Sequence, residues 1–423
     1  MSTAFHTMPS QAFRLELQSA DFVEQALMPD EVITTELVGA SAFDRLDDFR
    51  ALVDVVQATP ALAAYRERCR QAAFDLEALL VHERIAIGSS PLFRRWLHAT
   101  GRALIAGAPL SAVEPLLASV ANYVPGFTEK SSRSRVLMAR RGRIETWDCA
   151  GSIELPAGYG DGGWQCRRKG AWAHMTPESE DVEMLSSCLV APQAVLPQSN
   201  IVVRNDLPGL RVSLDETRTP ERGSAVREQE IDARECSYPE GRHHPIMEAA
   251  QALLSAWPEE YDDWRSMMRV VVPRLPPPGW QMAGFTISSM QGAAWIHPSS
   301  TLQTLESLVH EHSHVKLRYV EEAVPLLQPE QTSERFAVGW RTDRRPVVGI
   351  FEGVYVHLHC VIALIRYLHD YRLDAAVRRA AAARLDELRA QAREGLELLR
   401  AHAHFTAAGK GYLRWAATAL RGA

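Results

Sequence analysis

The stretch of this chain best equipped for chemistry is His310-Glu311-His312-Ser313-His314. On a helix, residues four apart sit one turn above each other, so His310 and His314 can aim imidazole nitrogens at one ion. Glu311 is then placed to handle a proton beside that ion. His312, two residues from each, falls on the far side and outside the donor set. Two histidines leave a metal under-coordinated, so a third protein ligand has to come from elsewhere. Glu352, 38 residues after His314, is the best candidate and completes a two-histidine, one-carboxylate set. His359 lies two turns beyond Glu352 on the same side of its segment and is the reserve ligand. His357, roughly 140° round from Glu352 at about 100° per residue, points elsewhere.

Two chemistries fit such a set. With zinc and an open position, a metal-bound water is activated and Glu311 is the general base of a gluzincin-like metallopeptidase. With ferrous iron, the same ligands leave positions for a bidentate co-substrate and O2. The distinguishing need is a cation. An oxygenase using 2-oxoglutarate must hold the distal carboxylate, for which Arg is the bidentate partner. Arg341, Arg344 and Arg345 stand just upstream of Glu352. The plainer alternative is that Asp343 and its Arg neighbours only close a turn through salt bridges.

These residues need elements to hold them. Leu305, Leu308, Val309, Val315 and Leu317 form an apolar stripe, and no Gly or Pro interrupts Thr301 to Val324, so the box sits on a helix. Ahead of it, 284–289 and 292–297 read as paired strands joined by a tight turn, with Val270 to Val272 a further strand. An edge beside the box could bind an extended peptide through main-chain hydrogen bonds. His297, at the strand end, either lines the site or is a loop histidine. Helices are expected over 245–257, 261–268 and 351–371, and a long amphipathic one over 374–403 with Leu385, Leu388, Leu396 and Leu399 inward.

The fold expected is α+β and predominantly helical: the metal-binding helix preceded by a short antiparallel sheet, with a helical N-terminal region and a long C-terminal helix. Residues 1–130 read as helical, over 13–28, 43–56 and 61–87. Residues 131–240 are richer in strands and loops, with strands over 134–139, 188–190 and 200–203 and an extended polar loop over 206–240; this part could bind substrate. Cys166 and His174 fall here and read as structural. Residues 241–423 form the catalytic domain.

Composition narrows the class. A net charge of -6 offers no excess of cations for a phosphate backbone, so no nucleic-acid partner is expected. The start lacks a signal-peptide pattern, and no 18 apolar residues run together, so no membrane span is expected. Six scattered cysteines without a CxxC pair read as reduced thiols of a cytoplasmic protein. Oligomeric state is not encoded in any of this.

Between Val270 and Tyr371 the chain resembles the HExxH-motif proteins of bacterial peptide natural-product gene clusters. The resemblance lies in Gly284-Phe285-x-x-Ser288, the Leu305-to-Leu317 helix, Trp340-Arg341-x-Asp343-x-Arg345-Pro346 and Gly349-x-x-x-Gly353-Val354-Tyr355. It implies an Fe(II)/2-oxoglutarate-dependent dioxygenase that hydroxylates a β carbon in a ribosomally made peptide or an amino-acid-derived substrate. It further implies His310 and His314 as iron ligands, an Arg of 341–345 (Arg341 or Arg345) as co-substrate anchor, and Ser288 among the co-substrate-binding residues. In that family the residue before Gly353 is usually His; Glu352 departs from the pattern and remains competent to bind a metal. The first 240 residues carry no such resemblance and could recognise a leader peptide or another substrate.

Overall fold

Helix follows helix through the first part of the chain, and polar side chains mark the joins. The computed structural model describes residues 18–124, 135–140, 142–149, 152–155, 161–169, 172–177, 185–190, 192, 194–214, 228–230, 244–275, 284–369 and 372–422. Ser19 starts α1 (Ala20–Ala26) and Asp30 starts α2 (Glu31–Ala58), each accepting from amides the helix leaves free. The stretch read as helical over 61–87 is three pieces: a 3-10 turn (Pro60–Tyr65), α3 (Arg66–Glu77) and α4 (Val81–Gly88). A new start is made at Leu80, whose N–H donates to Glu83 Oε2 at 3.0 Å. Prolines punctuate the next two helices, α5 (Pro91–Ile105) and α6 (Leu110–Ala118), and the single turn α7 (Val120–Tyr123) follows. Residues 13–17 of the first expected helix lie outside the described residues.

The middle of the chain is β-rich. Strands β1 (Arg135–Ala139), β2 (Arg143–Glu145), β3 (Ser152–Glu154), β4 (Gly162–Lys169), β5 (Trp172–Pro177) and β6 (Leu185–Val190) form one antiparallel sheet in the order β1-β4-β5-β6-β3-β2. Its two edges meet again at a bridge between Arg140 and Arg143, so the sheet curls back on itself. Strands β4 and β5 escape the sequence reading because β4 ends in Arg167-Arg168-Lys169 and lacks apolar alternation. Cys166 on β4 is buried, donates to Trp164 O at 3.4 Å, and burial pushes its thiol up to about 12, in keeping with a structural role. Strands β7 (Ala194–Val195) and β8 (Val202–Val203) follow. Within the stretch read as loop, β9 (Val212–Leu214) pairs with β10 (Glu228–Glu230); residues 215–227 and 231–240 lie outside the described residues.

The last part carries the box. After α8 (His244–Ala256) and α9 (Pro258–Met267) come β11 (Val270–Pro273), β12 (Gly284–Phe285) and β13 (Ala293–Ile296), then α10 (Thr301–Ala323), capped by Ser300. The expected β12–β13 pairing forms, Phe285 opposite Trp295, though a 3-10 turn (Ser288–Met290) makes the connection longer than a tight hairpin. The sheet is not purely antiparallel. It has five strands in the order β12-β13-β11-β8-β7, with β11 parallel to both neighbours, which buries the Val270–Val272 run on both faces. A short ladder of β14 (Arg335–Phe336) and β15 (Arg345–Pro346) leads to α11 (Val347–Leu368) and α12 (Ala375–His402). The inward leucines of α12 are buried as expected, and α13 (Lys410–Gly422), not anticipated, comes after it.

The protein is thus mostly helical with small sheets and a long C-terminal helix. One continuous apolar core takes side chains from Val23 near the start to Ala416 near the end. By length and composition α11 could cross a membrane, but 67% of its most apolar window is buried inside the fold, as in a core helix. Among the described cysteines, Cys69, Cys149, Cys166 and Cys360 are buried.

Candidate metal centre

Helix α10 is buried on nearly every side, and its histidines therefore divide between two environments. His310 and His314 share one face, ring centres 5.1 Å apart. Helix α11 runs antiparallel across that face. Cys360 Sγ reaches Glu306 O at 3.7 Å, the His357 ring lies 6.3 Å from that of His310, and Glu352 Oε2 lies 3.9 Å from His314 Nδ1. His314 thus neighbours both His310 and Glu352. Among the described residues, no group of three or more His, Cys, Asp or Glu is placed so that it could hold a metal ion.

The electrostatics suit donors. Burial holds the His310 imidazole down at about 4 and that of His314 well below its ordinary value, so both are uncharged at neutral pH with lone pairs free. Burial raises Glu352, opposed by Arg318 and Arg345, although its side chain keeps 36% of its exposure. Glu311 is buried and pushed up to about 8 by loss of water, again opposed by Arg318. A metal ion near these groups would pull both carboxyls back toward the charged form.

Two residues near the pair were not singled out from sequence. Arg318 bears on Glu311, His314, Glu321 and Glu352, and its Nη1 donates to Thr286 Oγ1 at 3.0 Å. Glu321 is pushed up to about 7 by burial and the Glu352 charge. The helical spacing contained the signal, since Arg318 and Glu321 follow His314 by four and seven residues and extend its stripe.

The arginine segment divides. Arg341 Nε pairs with Asp343 Oδ1 at 3.0 Å, and Arg345 Nε lies 3.5 Å from Asp343 Oδ2, so the segment is indeed a turn braced by ion pairs. Of the two, Arg345 also bears on His314 and Glu352. Trp340 anchors the turn: its indole lies edge-on to His357 at 5.0 Å. A Cβ on Gly353 would come within 3.2 Å of the indole nitrogen, and one on Gly395 within 2.9 Å of its ring, so both glycines make room for it. Ser288 is exposed in the 3-10 turn, and no contact ties it to the trio. His297 Nδ1 lies 3.3 Å from Arg274 O, to which it donates in the tautomer protonated there.

Two histidines stand differently from expectation. His359 is not at the site; its Nε2 lies 3.0 Å from Leu27 O, its ring stacks on Trp257, and Nδ1 is 3.7 Å from Glu260. His357, expected to point away, faces His310. His312 does lie on the far side, fully buried, with Nδ1 2.7 Å from Glu260 Oε1. Burial would raise Glu260, but His312 and His359 overcome it and hold the carboxyl well below its usual range. Beside them Lys316 pairs with Asp263 and donates to Met28 O at 2.7 Å, while Thr34 donates to Asp263 Oδ1 at 2.7 Å.

Glu311 lies against β12, the edge strand of the five-stranded sheet. A Cβ on Gly284 would fall 2.9 Å from Trp295 O and 3.1 Å from Glu311 Oε1, which is why glycine is needed there. Gly284→Ala is expected to lower stability by about 1–3 kcal/mol through overpacking and to displace Glu311; urea denaturation measures the first effect. An unchanged midpoint would show the strand free to shift. No protein-family model matches the chain, and no curated protein matches it either.

Proposed function

We propose that the chain is an Fe(II)/2-oxoglutarate-dependent oxygenase that hydroxylates a β carbon of a residue in a ribosomally made peptide or an amino-acid-derived substrate. The observation that carries this reading is Arg345, a cation whose charge bears on both His314 and Glu352. A hydrolase has no need of it, whereas a dicarboxylate co-substrate does. His310, His314 and Glu352 would hold the metal, an uncharged imidazole pair and a carboxylate being a donor set that leaves positions open. When bound, the iron supplies the oxidising chemistry: substrate C–H, O2 and 2-oxoglutarate become alcohol, succinate and CO2. Arg345 would take the distal carboxylate, oriented by Asp343. With the metal pulling its carboxyl toward the charged form, Glu311 would orient a neighbour by accepting a hydrogen bond. An extended peptide could add to the β12 edge through main-chain bonds.

That same edge favours a second reading, a zinc peptidase in which Glu311 removes the proton of a metal-bound water. One titration separates the two. Fe(II) and 2-oxoglutarate, added anaerobically, should give a weak visible charge-transfer band. Arg345→Met should weaken 2-oxoglutarate binding roughly 10- to 150-fold, the worth of about 1.5–3 kcal/mol for hydrogen bonds to a charged group, with Fe(II) affinity kept. No band, together with peptide hydrolysis restored by zinc alone and lost in Glu311→Gln, would replace the oxygenase with the peptidase.

A further inference from the structure

Helix α10 holds a cation against the edge strand of the five-stranded sheet and not against a carboxylate. Arg318 follows His314 by one turn, and its place on the helix would let it pair with Glu321 or Glu322, three and four residues on. It pairs with neither. Glu322 turns to Ser41 and to Arg94, the latter 3.7 Å away. Glu321 and Glu352 lie close enough to feel the Arg318 charge without forming an ion pair with it. Among the described residues, the one polar partner of its guanidinium is Thr286, whose Oγ1 accepts from Nη1 at 3.0 Å. The other N–H groups of this half-buried fork, Nε and Nη2 among them, have no acceptor in the described residues.

The strand it reaches is the outermost of its sheet. Among the described residues β12 pairs with β13 alone, and Thr286 follows it directly. Phe285 is buried against Trp295, ring centres 5.1 Å apart, so Gly284 and Thr286 share the opposite face. On that face a Cβ at Gly284 would meet Glu311 Oε1 at 3.1 Å, and Thr286 meets Arg318. Glu311, His314 and Arg318 are one stripe of α10, spaced by three and four residues, and β12 runs beside it. A peptide strand added to the β12 edge would turn alternate side chains to the same face.

We propose that Arg318, braced by Thr286, binds a carboxylate of a peptide substrate lying along β12. The inference rests on the substrate placement proposed above and narrows the substrate to an acidic peptide segment, its carboxylate held one helical turn beyond His314. A guanidinium with Nε and Nη2 unoccupied matches a carboxylate through two parallel hydrogen bonds. A C-terminus and an Asp or Glu side chain present the same chemistry. Arg345 belongs to a different element, β15, where it lies beside Asp343, and it stays with the co-substrate.

The test uses the full-length chain in EDTA, so that no metal competes for the carboxylate. The probe is an N-acetylated hexapeptide of alternating Thr and Val in three forms: free C-terminal carboxylate, C-terminal amide, and the amide with one Thr replaced by Asp. Calorimetric titration should show an acidic form binding the wild type at least about tenfold tighter than the plain amide, the worth of hydrogen bonds to a charged group. Preference for the free carboxylate identifies a C-terminal residue as the one held; preference for the Asp form identifies an internal acidic side chain. Arg318→Met should erase the preference and Arg318→Lys should keep part of it, each with an unchanged far-ultraviolet circular dichroism spectrum. Equal binding of the three forms by the wild type, binding of none, or a preference that survives Arg318→Met overturns the assignment. So does an Arg318→Met variant that loses 2-oxoglutarate binding under anaerobic Fe(II) and keeps its peptide binding, which would make Arg318 the co-substrate anchor. A missing charge-transfer band with the peptide preference intact would instead sink the oxygenase reading and leave this site standing.

Discussion

His314→Ala is expected to weaken Zn(II) or Fe(II) binding by roughly a hundred- to a thousandfold. Four-ligand zinc sites are worth about 10–16 kcal/mol at neutral pH, so one ligand carries about 2.5–4 kcal/mol. His314 neighbours both of the other candidates, 5.1 Å from His310 by ring centres and 3.9 Å from Glu352 by atoms. Calorimetric titration of the metal reads the loss directly; unchanged affinity would remove the box from any metal chemistry. The pH dependence has a definite sign. Metal binding needs neutral imidazole and ionised carboxylate. His310 takes up a proton only near pH about 4, and His314 is also depressed, so neither weakens binding between pH 7 and 5. Glu352 is raised, so the acid loss of affinity belongs to it and should be blunted in Glu352→Gln.

Lys316→Met is expected to destabilise the fold by about 3–5 kcal/mol, the usual result of stranding one member of a buried pair. Lys316 and Asp263 are both fully buried, and Asp263 would keep donors from Thr34 and Asp30 but no counter-charge. Removing both charges in Lys316→Met/Asp263→Leu should recover much of the loss, because the desolvation cost goes with the ions. Urea or thermal denaturation of the two variants checks it. Equal stability of both with the wild type would mean that water reaches the pair. Neither side chain faces the His310–Glu352 side, so the double variant should retain metal affinity.

The sequence made the box helix legible because its period is strong and unbroken from Thr301, and the structure starts α10 there. The meeting of His314 with Glu352 was legible as well, since a carboxylate was the missing donor type. That His357 rather than His359 would lie beside His310 was not. Both were placed by rotation about one helix axis, which assumes that a stripe faces one neighbour along its length. Helices cross at an angle, so the face that meets α10 at Glu352 meets Trp257 and Leu27 two turns later. Arg341 was read with Arg345 because both flank Asp343; only the fold distinguishes which one lies close to the histidines. The strands β4 and β5 were hidden because β4 ends in Arg167-Arg168-Lys169 and lacks apolar alternation.

The turn at Leu27 and Met28 bears on how the chain can be cut. Its two carbonyls accept from Tyr355 at 3.1 Å, from Lys316 at 2.7 Å, and lie 3.0 Å from His359, all on α10 and α11. A gene fragment beginning near residue 241 would leave those donors facing a void, with the Lys316–Asp263 pair open to water. Exchange of front halves therefore has no seam here: any fragment that keeps α10 packed as in the whole chain must carry residues 20–58 along with it.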